Sequence, residues 1–356
     1  MEYQFTAEQE ELRSIVRSLL EDRGRPRESY DGGPALDATT WSALAELGLC
    51  GLGVDEDWGG SGGTLLDQLI VVEEIGRAAA ALPFTSSTVV SLPLVAALAT
   101  DDQLAGVLPA ASSGSLTLST VLTGEGTGNR HDVVTHVGGK LTGTLSLVPD
   151  GASCGLLLVP CDGAVFAVRI DSDGVIVTDE PTLDRTRRAA TIVLDGAAGE
   201  RLDSGNVERA LQGARRRALV SLAADATGSA GRALEMSVDY AKEREQFGTV
   251  IGTFQAVKHR VADMLVDLEN ARSATMFGAW AVAGDAPDAD VAAAVAKAAA
   301  TERAVHVVGS AIQVHGGIAI TWEHDLHLLL RRVKSCEIAF GEPSLHLENV
   351  AAELLG

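Results

Sequence analysis

Basic residues are scarce in this chain. Lysine and arginine number 28 against 49 aspartates and glutamates, a formal charge of −21 over 356 residues. A phosphate backbone needs a cationic surface, which argues against a nucleic-acid partner; an anionic membrane surface is disfavoured on the same ground. Long apolar runs are lacking too. No segment reaches the roughly 18 uninterrupted apolar residues of a membrane-spanning helix, and the stretch Val89–Leu98 is short and contains Pro93. Met1-Glu-Tyr-Gln-Phe-Thr-Ala-Glu8 has neither the basic nor the apolar part of a secretory signal, so the chain is expected in the cytoplasm. Cys50, Cys154, Cys161 and Cys336 match no zinc or redox spacing and read as reduced, mostly buried thiols. No Gly-x-Gly-x-x-Gly follows a strand, which leaves nicotinamide on a Rossmann unit without support. No Ser–His–Asp constellation is placed by the sequence. His324, Asp325 and His327 lack a second ligand cluster, and the segment reads instead as the acidic start of a helix whose far end carries Arg331, Arg332 and Lys334.

What is present is a soluble, core-forming composition, 46% hydrophobic and 22% charged. Its periodicity changes twice. From Thr6 to about Ala110 the apolar spacing is helical. Gln9 stands at the capping-box position after Thr6, and Leu12, Ile15, Val16, Leu19 and Leu20 follow on one face. A further helix is expected near Thr40–Leu47, another after Thr64 and a short one over Ser91–Leu98. From Gly114 to about Gly199, short runs rich in Val, Leu and Thr are divided by Gly, Asp and Pro, the pattern of a small antiparallel sheet or barrel. From Val207 onward the spacing is helical again, with four long helices expected to pack as a bundle. The fold class is therefore α+β and multi-domain: an N-terminal helical domain over 1–112, a shortened middle β-domain over 113–200, and a C-terminal four-helix bundle over 201–356.

Two stretches carry chemistry. Tyr240-Ala-Lys-Glu-Arg-Glu-Gln-Phe-Gly248, followed by Phe254-Gln255, sets Arg244 and Phe247 three apart, one face if the stretch is helical, with Gly248 as the stop. A guanidinium beside an aromatic ring suits a ligand with both phosphate and a flat heterocycle. Gln313-Val-His-Gly-Gly317 adds a glycine pair that lets backbone approach a phosphate closely. Each element has a plainer reading. Arg244 lies between two glutamates in a charge run, Phe247 alone suits a core, Gly316-Gly317 suits a helix cap, and His315 suits a buried hydrogen-bonded position.

The order of the three regions, the Trp58-Gly-Gly60 loop and both stretches resemble the acyl-CoA dehydrogenase family over essentially the whole chain, most strongly in its last third or more. The resemblance implies an FAD enzyme that desaturates an acyl-CoA thioester, a carboxylate taking the α-proton while a hydride leaves the β-carbon. It assigns Arg244, Phe247, Gln255, Gln313, Gly316 and Gly317 to the ADP half of FAD, held across a subunit interface. Two departures accompany it. Aligning the glycine of Glu337-Ile-Ala-Phe-Gly-Glu342 puts Phe340 where the family's base stands, and Glu342 lies two residues beyond it. The alternative base position, on the first bundle helix, is Ala218. The loop expected to contact flavin is Leu122-Thr-Gly-Glu-Gly-Thr-Gly-Asn-Arg130, which keeps little of the family pattern. These departures resemble the actinobacterial steroid side-chain enzymes, in which two different subunits form an α2β2 tetramer. They imply a subunit that completes its partner's FAD site and supplies no base. A self-sufficient homotetramer using Glu342, or a non-catalytic helical assembly protein that has lost FAD, are the alternatives.

Overall fold

Thr6 starts the first helix through the box its spacing predicts: its Oγ1 accepts from the Gln9 backbone N–H at 3.2 Å, and Gln9 Oε1 accepts from the Thr6 N–H at 3.1 Å. The structure, a computed structural model, describes residues 5–24, 26–34, 36–122 and 133–355. The first region holds α1 (Ala7–Arg23), α2 (Pro26–Tyr30), α3 (Ala38–Glu46), α4 (Leu65–Ala78), α5 (Leu92–Leu98) and α6 (Asp101–Ser112). Leu65, Leu69, Val72 and Ile75 of α4 are all buried, as their spacing requires. The helical segment expected at Ser91 begins earlier, with a π-helical turn over Thr85–Ser91 that runs directly into α5; π-turns inside helices collect at functional sites.

The middle region forms two four-stranded sheets. β1 (Leu118–Thr120), β4 (Leu156–Cys161), β5 (Ala164–Arg169) and β8 (Glu200–Leu202) make one, in that order. The other runs β2 (Val134–Val137), β3 (Lys140–Pro149), β7 (Ala189–Ala198), β6 (Val175–Glu180). All neighbours are antiparallel except β1 and β4, which pair in parallel. Leu145, Ile192, Leu157 and Phe166 meet between the sheets, while Leu118, Leu156 and Val165 on the other face of the first sheet pack against α5 and α6. β3 is a single long strand with register irregularities at Leu141/Thr142 and Leu145/Val148.

The last region comprises α7 (Val207–Glu243), α8 (Gln255–Ala283), α9 (Ala289–His315), α10 (Leu326–Ile338) and α11 (Pro343–Leu355). α7 crosses α4 at van der Waals distance. A Cβ on Gly228 would stand 1.8 Å from the Glu73 carbonyl oxygen, and one on Gly76 would stand 2.1 Å from that of Asp225. In α9 the buried face is built from Ala292, Ala293, Ala296, Ala300 and Ala304 together with Val307 and Val308, while Val291, Val295 and Val305 are only partly buried. Alanine's small side chain lets α7, α8 and α9 approach closely.

Candidate functional site

α7 ends at Glu243, and the Arg244 N–H donates to the Tyr240 carbonyl at 2.8 Å. The chain then makes a hairpin, β9 (Glu245–Gln246) against β10 (Thr249–Val250), closed by Phe247 at φ 54° and Gly248 at φ 81°. Two left-handed residues in a two-residue loop match the twist of a hairpin. Arg244 and Phe247 therefore do not share a helix face, and Gly248 serves the turn rather than stopping the helix. Phe247 projects into solvent, 95% exposed, with its ring edge-on to Phe254 at 6.2 Å.

The second stretch comes to the same end of the bundle. The His315 ring, buried at the C-terminus of α9, stacks on Tyr240 with centroids 4.4 Å apart, and its Nδ1 lies 2.9 Å from the Ala311 carbonyl oxygen. Arg244, Gln255, Gln313, Gly316 and Gly317 are all exposed there. Arg244 makes no ion pair with Glu243 or Glu245, and among the described residues its guanidinium has no carboxylate partner. Gly316 sits at φ 65°, ψ −143°, a conformation only glycine adopts easily. At Gly317 no positive φ is required and an added Cβ would meet nothing within 4 Å. Nothing among the described residues demands glycine there; the space is open to an approaching group. A guanidinium, two carboxamides, a bare backbone and an exposed ring suit a ligand with a diphosphate and an aromatic heterocycle.

A separate cavity of about 410 Å³ lies between the π-helical turn, the end of β3, the segment before β7, and helices α7 and α10. Ala218 and Phe340, the two positions aligned with a base, both line it. Neither side chain can take a proton. Glu342 is exposed and is not among the lining residues. Phe340 is held at φ 58° and Gly341 at φ 105°, in a loop anchored by buried Lys297, whose ammonium donates to the carbonyls of Glu337 (2.6 Å) and Gly341. Burial pushes the Lys297 ammonium down to about 8. Residues 123–130, the expected flavin-contacting stretch, lie outside the described residues.

The cavity's polar wall was not anticipated. Asp150, at φ 52°, is the only carboxylate among the described lining residues, and its Oδ2 lies 2.5 Å from Ser86 Oγ of the π-helical turn. Burial raises its pKa, against a lowering by the Ser86 contact and by Arg187 and Arg332. Behind it, Asp225 of α7 accepts from Arg332 Nε and Nη2 and from Arg187 Nη1, each at 2.7 Å. Burial pushes the Asp225 carboxyl up, but the two guanidiniums outweigh it and hold it at about 2. Arg332 also donates to Ala80 O and Thr186 Oγ1, so this cluster ties all three regions together. Its only signal in the sequence was a lone acid in the alanine-rich run Ala223-Ala-Asp-Ala226.

Two family descriptions match: Acyl-CoA dehydrogenase, N-terminal domain, over residues 6–115, and Acyl-CoA dehydrogenase, C-terminal domain, over residues 206–355. The chain is 31% identical to the acyl-CoA dehydrogenase IpdE2 of Mycolicibacterium smegmatis, with 98% of this chain and 99% of that one covered. Among solved structures, the ChsE4-ChsE5 complex from Mycobacterium tuberculosis superposes with a TM-score of 0.90 at 29% identity, covering 100% of this chain and 99% of that one. The Tcur3481-Tcur3483 steroid acyl-CoA dehydrogenase does so with a TM-score of 0.87, at 29% identity and 98% of each chain. Sequence, fold and the two exposed stretches agree: the chain belongs to the acyl-CoA dehydrogenase family.

Proposed function

We propose that this chain is the subunit of an FAD-dependent acyl-CoA dehydrogenase that completes a partner's cofactor site and brings no base of its own. The reading rests on one separation. Ala218 lines the cavity, and Arg244 follows the end of the same continuous helix; at 1.5 Å per residue, Ala218 and Glu243 lie about 37 Å apart. No single dinucleotide lying in this chain's cavity reaches the exposed stretch. Arg244, Gln255, Gln313 and Gly317 would therefore hold the ADP portion of FAD seated in a neighbouring subunit, with Phe247 packing on it. FAD, when bound, supplies a hydride acceptor for the β-carbon of an acyl-CoA thioester. The residues of this chain bind and orient; the α-proton goes to a carboxylate on the partner, because Ala218 and Phe340 put none at either base position here.

A non-identical partner is favoured over a second copy, since two copies would give every cavity the same missing base. Two solved assemblies similar to this chain, ChsE4-ChsE5 and Tcur3481-Tcur3483, each join differently named chains, and the latter is a steroid enzyme. An acyl-CoA with a steroid-derived side chain or ring is accordingly the substrate class proposed, in an α2β2 dimer of dimers. The test is the mass and visible spectrum of the chain expressed alone and with a longer family member. The expected result is a colourless chain that becomes a yellow tetramer only with the partner. In that tetramer, Arg244→Ala should weaken FAD retention about 10- to 100-fold through loss of a charged hydrogen bond. A yellow homotetramer that bleaches with an acyl-CoA would refute the assignment and make Glu342 the next residue to replace.

A further inference from the structure

α7 carries three arginines in a row, Arg215-Arg216-Arg217, and the last two are held very differently. Arg216 donates to Asp290 through Nε and Nη2, each at 2.7 Å, and through Nη1 to Asp285 at 3.2 Å. Arg209, two turns earlier on the same face, pairs with the other oxygen of Asp285. Arg217 has no such partner. Among the described residues it makes no ion pair, and its one side-chain hydrogen bond runs from Nη1 to the neutral Gln68 Oε1 at 3.1 Å. Gln68 is itself fixed, its Nε2 donating to the carbonyls of Leu52 at 2.6 Å and Thr88 at 3.3 Å. Holding that carboxamide needs only a neutral donor, whereas a guanidinium brings a charge whose desolvation is left uncompensated. Burial accordingly lowers the pKa of Arg217.

The unused N–H groups of Arg217 are not sealed within the protein. They open onto a cleft of about 520 Å³ between α5, the N-terminal part of α7 and the end of α8, a volume in the range of small-molecule sites. The cleft shares no lining residue with the cavity described above. Pro93, Leu94, Ala97 and Val282 form its apolar side, and Arg209, Arg216 and Arg217 its charged side. Asp285 and Asp290 neutralise the first two arginines, which leaves a single positive charge in a chain whose overall charge is −21. A planar guanidinium with free N–H groups matches a carboxylate, and one carboxylate balances that charge.

We propose that this cleft binds a small apolar molecule carrying a single carboxylate, which pairs with Arg217 while the apolar body lies against Pro93, Leu94 and Val282. The site stands apart from the subunit reading above and from the reaction proposed there.

The probe is cyclohexanecarboxylate, titrated calorimetrically at neutral pH into the full-length chain in its native oligomer. Cyclohexanecarboxamide keeps the ring and loses the charge, and acetate keeps the charge and loses the ring; each should bind at least about tenfold more weakly. Arg217→Gln keeps a donor for Gln68 and should weaken the carboxylate about 10- to 100-fold through loss of a charged hydrogen bond, with the amide's affinity unmoved. Gly213 lies one turn before Arg217 on the same face of α7, and an added Cβ there meets nothing within 4 Å. Gly213→Leu should therefore fill the cleft and block the carboxylate without lowering the melting temperature, and it carries the test if Arg217→Gln does not fold. No binding of cyclohexanecarboxylate, amide or acetate bound as tightly, or an affinity unchanged in either folded variant overturns the proposal. These readouts need no FAD: loss of the subunit assignment leaves them standing, and their failure leaves that assignment standing.

Discussion

Asp225 is the residue whose loss should cost this protein most. Its side chain is fully buried and accepts three charged hydrogen bonds at 2.7 Å, two from Arg332 and one from Arg187. Charged hydrogen bonds contribute about 1.5–3 kcal/mol each, but these three are not additive. Arg332 keeps its bonds to Ala80 O and Thr186 Oγ1, and the half-buried Arg187 can turn toward water in the cavity. The loss for Asp225→Ala is therefore set by one buried guanidinium left uncompensated, about 3–5 kcal/mol. Urea unfolding at neutral pH measures it. The double variant Asp225→Leu with Arg332→Met should recover most of that loss, because the penalty lies in the orphaned charge rather than in the missing bond. A single-variant cost below about 1 kcal/mol would refute the argument. The same pair sets an acid limit. The carboxyl is held at about 2 against an ordinary value of 3.8, so the unfolded chain binds the proton more readily. This contribution, of order 2 kcal/mol, is present in full above pH 3.8 and fades as pH falls toward 2.

Three further outcomes follow from other parts of the fold. Gly228→Ala should destabilise the protein by about 1–3 kcal/mol in thermal unfolding despite alanine's higher helix propensity, because its Cβ would collide with the Glu73 carbonyl; an unchanged or raised melting point would show that α4 and α7 can move apart. His346 is buried, and burial together with Lys297 and Arg215 lowers its pKa to about 4 from 6.5. The unfolded chain then takes the proton first, and about 3 kcal/mol of stability present above pH 6.5 is lost as pH falls to 4; a pH titration of the urea midpoint should flatten in this window in His346→Gln. Lys297→Met should free the loop between α10 and α11, seen as faster amide exchange at Gly341 and its neighbours with little change in α7, and unaltered exchange would mean that the loop holds itself.

Much of the fold was legible because its signals are local. The Thr6–Gln9 box, the stripe of α4 and the Val-, Leu- and Thr-rich strands each depend on residues a few positions apart. The errors have local causes as well. Tyr240–Gly248 reads as continuous helix because Glu245 and Gln246 are good helix formers, yet Phe247-Gly248 forms the tight turn of a hairpin. Along α9, close packing against α7 and α8 selects alanines for much of the buried face, which larger apolar residues at helical spacing do not announce. Asp225 and Lys297, single charges in alanine-rich runs, look like surface positions until distant partners are known: Arg332 for one, and the carbonyls of Glu337 and Gly341 for the other. The cavity could not be read at all, since its wall joins segments from all three regions.

This division between local and distant information also bears on what the chain has kept. The exposed stretch consists of short motifs at one end of the bundle, and among the described residues no side-chain partner accounts for Arg244 or Gln255. The cavity, about 37 Å away along α7, has apolar residues at both positions where a base would stand. If the chain had simply lost its function, the exposed motifs would have had no more reason to persist than the base. Their survival fits a surface that answers to a neighbouring subunit's cofactor. The exposed end should therefore be separable from the fold by mutation: Arg244→Ala should lower FAD retention in the mixed tetramer about 10- to 100-fold while the urea midpoint of the chain stays unchanged. An unchanged flavin content would remove the subunit assignment.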